Sequence, residues 1–343
     1  MGNCWSDCLQ IGTYTMNFSE SQQILEKINS SNNILLNLHH NPDADSVGSA
    51  TAFGYFLKSL NKNFKIITSS KPSKNLEFLF EDFEYEVIDF NNFDYSKYDL
   101  FIANDSSSWA RVSGANDIKK PDIFFINIDH HKSNQKFADI NLISEDASAN
   151  SLLVYKLFKD LEFDLDQKVA RSLLTGIFGD TGVLRFPEAD VETYQASLEL
   201  MNLTDKNKII FNLYQTFEEN HVNVWKEILN NLEIDQGHKF VFSFIRLDVV
   251  ENNNFPTNAK AEISDMIFQS IEGTNFGLVG IEDKDYISVS FRARKDVDVS
   301  VLASRLGGGG HKWASAARVW EGSYEKTVEK ILSEAIDFAK ENV

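Results

Sequence analysis

His39, Asp43 and Asp45 stand close together in the run His39-His40-Asn41-Pro42-Asp43-Ala44-Asp45. Asp105 follows in Ile102-Ala103-Asn104-Asp105, then Asp129-His130-His131, then Asp180 in Gly179-Asp180-Thr181-Gly182. Each group follows an apolar run that reads as a strand or a buried helix. Mixed imidazole and carboxylate donors suit Mn²⁺, Fe²⁺, Co²⁺ or Zn²⁺ better than a pure Mg²⁺ site. One set would be His39, Asp43 and Asp105, and a second Asp45, Asp105, His130 and Asp180, with Asp105 bridging. Four carboxylates against two divalent cations approach neutrality; without cations they would repel and lose solvation. Two ions about 3.5–4 Å apart would lower the pKa of a shared water, giving a hydroxide able to attack phosphorus in line. Singly, each motif has an ordinary explanation, because an Asp after a strand is often a turn former or helix cap. Their common placement after strands, in one chain, is what points to metal-assisted hydrolysis.

The elements that must hold these groups follow from periodicity. The spacing predicts a helix over 20–28, a buried strand in NILLNLHH and a helix over 46–60. KNFKIITSS, DLFIANDSS and DIFFINIDHH read as further strands, and 151–159 and 167–178 as amphipathic helices. Alternating strands and helices imply right-handed crossovers and a doubly wound, mostly parallel sheet with helices on both faces. Ligands bind such sheets beyond the carboxyl ends of the strands, where His39, Asp105 and His130 fall. From about 191 the strand signal gives way to successive helices. Near His238 it resumes with KFVFSFIRL, NFGLVGIE and DYISVSFRAR, with helices near 259–271, 299–306 and 324–340. The expected architecture is therefore α/β: a metal-binding domain over 17–190, a helical connector over 191–237 and a smaller α+β domain over 238–343. Residues 1–16 are expected to be a disordered extension.

Bulk properties narrow the function. The chain has 343 residues, 43% of them hydrophobic, and a formal net charge of −18. Broad grip on long nucleic acid needs clustered Lys and Arg, so a short anionic ligand is favoured. The two cysteines, Cys4 and Cys8, give the body no disulfide framework and suggest a reducing, cytoplasmic location. No apolar run approaches the roughly 18–20 residues of a membrane span, so no membrane partner is expected. Met1-Gly2 and Cys4 match a loose acylation pattern. A plain extension with a start at Met16 is the better explanation.

The order HxxPDxDxxGS, a strand ending in Asp105, Asp129-His130-His131 and Asp180-Thr181-Gly182 resembles the DHH phosphoesterase superfamily. The run Gly307-Gly308-Gly309-Gly310-His311, preceded by SVSFRAR, resembles the DHH-associated C-terminal domain. The resemblance implies six metal ligands: His39, Asp43, Asp45, Asp105, His130 and Asp180. It implies that His131 contacts the scissile phosphate and that Asp129 orients a histidine from behind. It also implies substrate binding by Gly308, Gly309, Gly310 and His311, where glycines let backbone N–H groups approach phosphate. Arg292 is expected as a bidentate phosphate clamp, with Arg111 and Arg185 as further phosphate ligands near the metal loops. Two departures stand out. Ala316 replaces a glycine common after the histidine, and Val183-Leu184 precede Arg185-Phe186 where an aromatic is usual.

The expected activity is hydrolysis of short oligoribonucleotides, linear dinucleotides such as pApA, or pAp, with two divalent ions. Mn²⁺ is the first expectation, and Mg²⁺, Co²⁺ or Fe²⁺ would serve. The partner is the nucleotide substrate, and a homodimer is compatible with the sequence. Rival readings are a cyclic-di-AMP phosphodiesterase, a manganese-dependent pyrophosphatase and a non-catalytic nucleotide-binding protein.

Overall fold

The computed structural model describes residues 18–252 and 259–342. The extension expected over 1–16, with Cys4, Cys8 and Met16, lies outside the described residues. The chain divides into two compact units between Thr216 and Phe217.

The first unit begins with α1 (Ser21–Ser30), β1 (Asn33–Asn37), α2 (Ala44–Ser59) and β2 (Asn63–Thr68). It continues with β3 (Tyr85–Val87), β4 (Leu100–Asn104), α3 (Trp109–Ser113), β5 (Phe124–Asp129) and β6 (Ile140–Ile143). The helices α4 (Asn150–Asp160), α5 (Gln167–Asp180), α6 (Val191–Leu203) and α7 (Lys206–Tyr214) complete it. All six strands pair in parallel in the order β3-β2-β1-β4-β5-β6. This order reverses between β1 and β4, so their carboxyl ends open the crevice in which doubly wound sheets bind ligands. The central strands are apolar along most of their length because both faces are covered. Ile34, Leu36, Ile102 and Ile126 pack under α2, α4 and α5, while Leu35, Phe101 and Phe125 pack on the opposite face beside Val112 of α3 and Phe90. α2 and α5 cross closely: a Cβ on Gly48 would lie 2.5 Å from the Ser172 carbonyl oxygen.

The second unit holds α8 (Glu219–Asn230), β7 (Glu233–Asp235), β8 (Phe240–Ile245), α9 (Leu247–Asn252) and α10 (Ala259–Ile263). β9 (Phe276–Glu282), β10 (Ile287–Ala293), α11 (Val299–Arg305), β11 (Gly309–Gly310), β12 (Ala314–Val319) and α12 (Tyr324–Asn342) follow. Its mixed sheet runs β11-β12-β10-β9-β8-β7, and only the β8–β9 pair is parallel. One face carries Val289, Phe291 and Ala317 against α11 and α12; the other carries Val241 and Val279 against α8 and α10.

The connector is helical, but its helices are shared. Ala196, Leu200, Ile209 and Leu213 of α6 and α7 join the first core, whereas Val224 and Ile228 of α8 join a core of the second unit. β3, β6, β7, β11 and β12 are additional to the strands expected from sequence. All but β12 have two to four residues, too few for a period-two pattern to declare itself. β12 is alanine-rich, a composition with little strand bias. The helix expected over 259–271 is α10 followed by a wider π-helical turn, Ser264–Phe268.

Candidate metal centre

The carboxyl ends of β1, β4 and β5 deliver the donors. Asp43 caps α2, its Oδ1 accepting from the N–H groups of Asp45 and Ser46. That leaves Oδ2 turned toward His39 Nε2, 3.3 Å away. Capping and ligation therefore use different oxygens of one carboxylate. Asp105 adopts a left-handed backbone, φ 51°, and its N–H donates to the Ile128 carbonyl. Non-glycine residues rarely occupy this region, and such conformations cluster at functional sites. The turn places Asp105 Oδ2 3.3 Å from His39 Nε2 and Oδ1 3.5 Å from His130 Nε2.

Both histidines are oriented from behind. His39 Nδ1 lies 3.0 Å from the His40 carbonyl oxygen and His130 Nδ1 3.0 Å from that of Ala147. A carbonyl only accepts, so Nδ1 carries a proton, and Nε2 is the atom turned to the carboxylates, where it can ligate a cation or hold a second proton. Asp45 is fully buried and receives the N–H groups of Asn150 and Ser151 from the first turn of α4. A helix N-terminus favours a negative charge there. Asp180, at the end of α5, brings Oδ2 to 3.4 Å from His130 Nε2.

His39, Asp43 and Asp105 each bring one donor atom within 4.8 Å of the other two, and Asp45, Asp105 and His130 do the same. Two clusters sharing one buried carboxylate fit a pair of divalent cations. The electrostatics agree. Burial and then Asp105 push the Asp45 carboxyl up to about 7. Burial and then Asp45 hold Asp180 well above the usual range. Burial and Arg111 work to lower His39, yet Asp43 and Asp105 outweigh them and raise it to about 9. Burial likewise opposes a proton on His130, and Asp105 and Asp180 overcome it. These raised values couple metal binding to proton release, since a cation can only replace the protons they favour.

His131 borders the cluster, its Nδ1 3.6 Å from Asp105 Oδ1. Its Nδ1 contacts Asp129 Oδ1 at 2.7 Å, and the amide of Asn134 donates to Asp129 Oδ2 at 2.6 Å. Asp129 is fully buried, so these contacts fix the orientation of the His131 ring. Arg111 reaches the cluster: its Nη2 is 3.0 Å from His39 Nε2 and 3.8 Å from Asp43 Oδ2. Arg185 does not. Its Nε donates to the carbonyl of Gly182, within a left-handed turn that runs through Val183 and Leu184. That turn brings the Phe186 ring back over Gly182, which supplies an aromatic there despite the altered order.

In the second unit, Arg292 is bound by the Asp265 carboxylate through Nε and Nη2. Gly308 is required by packing, since a Cβ there would lie 2.1 Å from the Ala316 carbonyl oxygen. Gly309 is exposed and a Cβ there would meet nothing, so the fold alone does not demand a glycine. His311 begins the turn from β11 to β12, exchanging backbone hydrogen bonds with Ala314. Trp313 is partly buried against the core that holds Phe276 and Phe291. Asn134 and the α4 N–H groups are contributors that sequence reasoning missed. No spacing rule marks an asparagine beyond the histidine pair, and backbone donors have no side-chain signature.

Comparison with known proteins follows the same division. The model of the DHH family N-terminal domain matches residues 33–177, and that of the DHHA1 domain matches residues 237–341. The bifunctional oligoribonuclease and PAP phosphatase NrnA of Bacillus subtilis is 28% identical over 327 residues, 93% of this chain and 99% of the relative. A probable manganese-dependent inorganic pyrophosphatase of Enterococcus faecalis is 25% identical over 51% of this chain and 56% of its own. The crystal structure of an exopolyphosphatase-related protein from Bacteroides fragilis shares the fold with a TM-score of 0.82 at 22% identity, covering 94% of this chain and 96% of that one. With both domains present in order, one on each unit, the chain belongs to the DHH phosphoesterase family and carries its DHHA1 domain.

Proposed function

We propose that this chain is a divalent-metal-dependent phosphoesterase that hydrolyses short oligoribonucleotides, linear dinucleotides such as pApA, and pAp. The observation that carries the reading is the pair of donor clusters joined at Asp105, with both imidazoles turned by backbone carbonyls so that Nε2 faces the carboxylates. When bound there, divalent cations supply Lewis-acid stabilisation of a phosphoryl group and a water of lowered pKa. His39, Asp43 and Asp105 are assigned to one ion, and Asp45, Asp105, His130 and Asp180 to the other. Mn²⁺ is the proposed ion, because nitrogen donors accompany the carboxylates.

The remaining roles belong to the chain's own groups. His131, held at Nδ1 by Asp129, offers Nε2 to the phosphate and can hold or deliver a proton there. Asn134 keeps Asp129 in place. Arg111 is assigned to a substrate phosphate beside the cluster, because its guanidinium already lies against His39 and Asp43. Arg185 is not carried forward in that role, since its Nε is tied to its own turn. Arg292, Gly308, Gly309, Gly310 and His311 are the proposed substrate-binding set of the second unit. The exposed Gly309, which packing does not explain, supports that assignment.

The length of the likeness to the oligoribonuclease and PAP phosphatase favours a nucleotide over pyrophosphate, because the pyrophosphatase likeness reaches only half of the chain. The test is Mn²⁺-dependent turnover of pApA, pAp, cyclic-di-AMP and pyrophosphate side by side. Turnover of pApA or pAp well above the others is expected; rapid pyrophosphate hydrolysis with inert pApA would overturn the proposal.

A further inference from the structure

Lys260, on α10, is only 9% exposed, and its ammonium donates to Ser288 Oγ at 2.6 Å. Ser288 of β10 is paired directly with Arg318 of β12. Directly opposed residues share a sheet face, so Arg318 flanks the hydroxyl that Lys260 holds. Arg292 lies four residues further along β10 on that same face. Three cations thus gather on one face in a chain of net charge −18. Asp265 answers Arg292. Among the described residues, neither Lys260 nor Arg318 has an ion-pair partner; Arg318 instead lies 5.1 Å from the Tyr286 ring centre. Burial, then Arg292 and Arg318, bring the Lys260 ammonium down to about 7.

Such a grouping costs stability, because like charges are brought together and one of them loses its water. An anion would reverse both terms. The surrounding sheet is open enough to admit one. Gly309 on β11 is opposite Ala316 on β12, and Ala316 is opposite Ser290 on β10. Gly309, Ala316 and Arg318 are exposed, and across β10, β12 and β11 the row between Arg292 and Arg318 holds only Ser290, Ala316 and Gly309. Ser288 and Arg292 are four residue steps apart along the strand, roughly 13 Å at about 3.3 Å per residue. That is farther than neighbouring phosphates of one strand stand apart.

We propose that Lys260, Ser288 and Arg318 form a second phosphate subsite, which takes a backbone phosphate of a short oligonucleotide more than one nucleotide away from the phosphate held at Arg292. The subsite rests on the phosphoesterase reading and extends it: it measures substrate length. A dinucleotide is too short to engage both positions, whereas a pentanucleotide reaches both.

The test compares Lys260→Met, Arg318→Gln and wild type on 5′-phosphorylated pentaadenylate and on pApA, with Mn²⁺. Each variant should lower the pentamer-to-dimer ratio of kcat/KM about tenfold, about 1.4 kcal/mol, through KM rather than kcat. Lys260→Arg should restore most of the ratio. A ratio unchanged in both variants, or lost through kcat, overturns the subsite. Calorimetric titration of pentaadenylate into EDTA-treated protein gives a second reading: binding weakened about tenfold by Arg318→Gln supports the subsite, and equal binding overturns it. That titration decides the matter even if Lys260→Met does not fold. If wild type hydrolyses neither nucleotide, the phosphoesterase proposal fails by itself, while the titration still reads the subsite.

Discussion

The two units gather charge of opposite sign. The first collects Asp45, Asp105 and Asp180 around His130 at the carboxyl edge of a parallel sheet. The second collects Lys260, Arg292 and Arg318 on one face of a mixed sheet. Neither arrangement is what folding alone selects, since crowding like charges and burying one of them, as at Asp45 or Lys260, is destabilising. In the first unit divalent cations would balance the carboxylates; in the second a serine hydroxyl and one carboxylate meet only part of the positive charge. The difference is also one of precision. Carbonyls, helix N–H groups and a left-handed Asp105 fix the acidic cluster atom by atom. The basic cluster rests on long side chains above small residues. The first suits chemistry on one phosphorus, the second the holding of a flexible anion.

The sharpest way to break the comparison is Asp105→Ala, which removes the carboxylate common to both donor clusters. Turnover should fall by more than the roughly 10²–10³-fold that follows loss of a single oxyanion donor, and Mn²⁺ titration should lose its high-affinity heat. Retained binding of both ions would refute the bridging role. His131→Ala should lower kcat about 10²–10⁴-fold, as loss of a positioned proton-transfer group does, with Mn²⁺ affinity kept. A parallel loss of metal would make His131 a ligand instead. Asn134→Ala should cost about 10–100-fold in kcat, the scale of a group that orients another; unaltered kcat would show that Asp129 needs no such support.

Acidity supplies a subtler contrast. Asp45 rises from 3.8 to about 7 and His39 from 6.5 to about 9 in the metal-free fold. Raised values give stability that is complete below the unfolded pKa and disappears as pH climbs through the folded one. Metal-free protein should therefore lose stability from mildly acidic to alkaline pH, and the rise in Tm on adding Mg²⁺ should grow from about pH 6 to about pH 8.5. A rise that shrinks over this interval would contradict the exchange of protons for cations. The smallest effect is expected in the second unit. Lys260→Met keeps most of the side chain's length and removes its charge, so Tm should increase slightly; a marked decrease would mean that the Ser288 contact is structural.

Much of this was legible beforehand. The apolar runs ending at His39, Asp105 and Asp129 are central strands buried on both faces, and such strands announce themselves by continuous hydrophobicity. The edge strand β6 and the alanine-rich β12 were silent, because their partners rather than their own side chains make them strands. Arg185 looked equivalent to Arg111 by proximity to a motif. The turn through Val183 and Leu184 directs it onto Gly182, whereas α3 directs Arg111 onto His39.

Local composition by itself determined which residue types stand after which strand, and hence that imidazoles and carboxylates meet at one sheet edge. A strand's end is a local property, and parallel crossovers carry successive ends to the same side. Which oxygen caps and which faces the cluster, which imidazole nitrogen carries the proton, and that Lys260 comes to rest on Ser288 were decided only by tertiary structure. Those choices depend on partners distant in the chain: Ala147 for His130, Asn150 for Asp45 and β10 for Lys260. No spacing along the sequence encodes them.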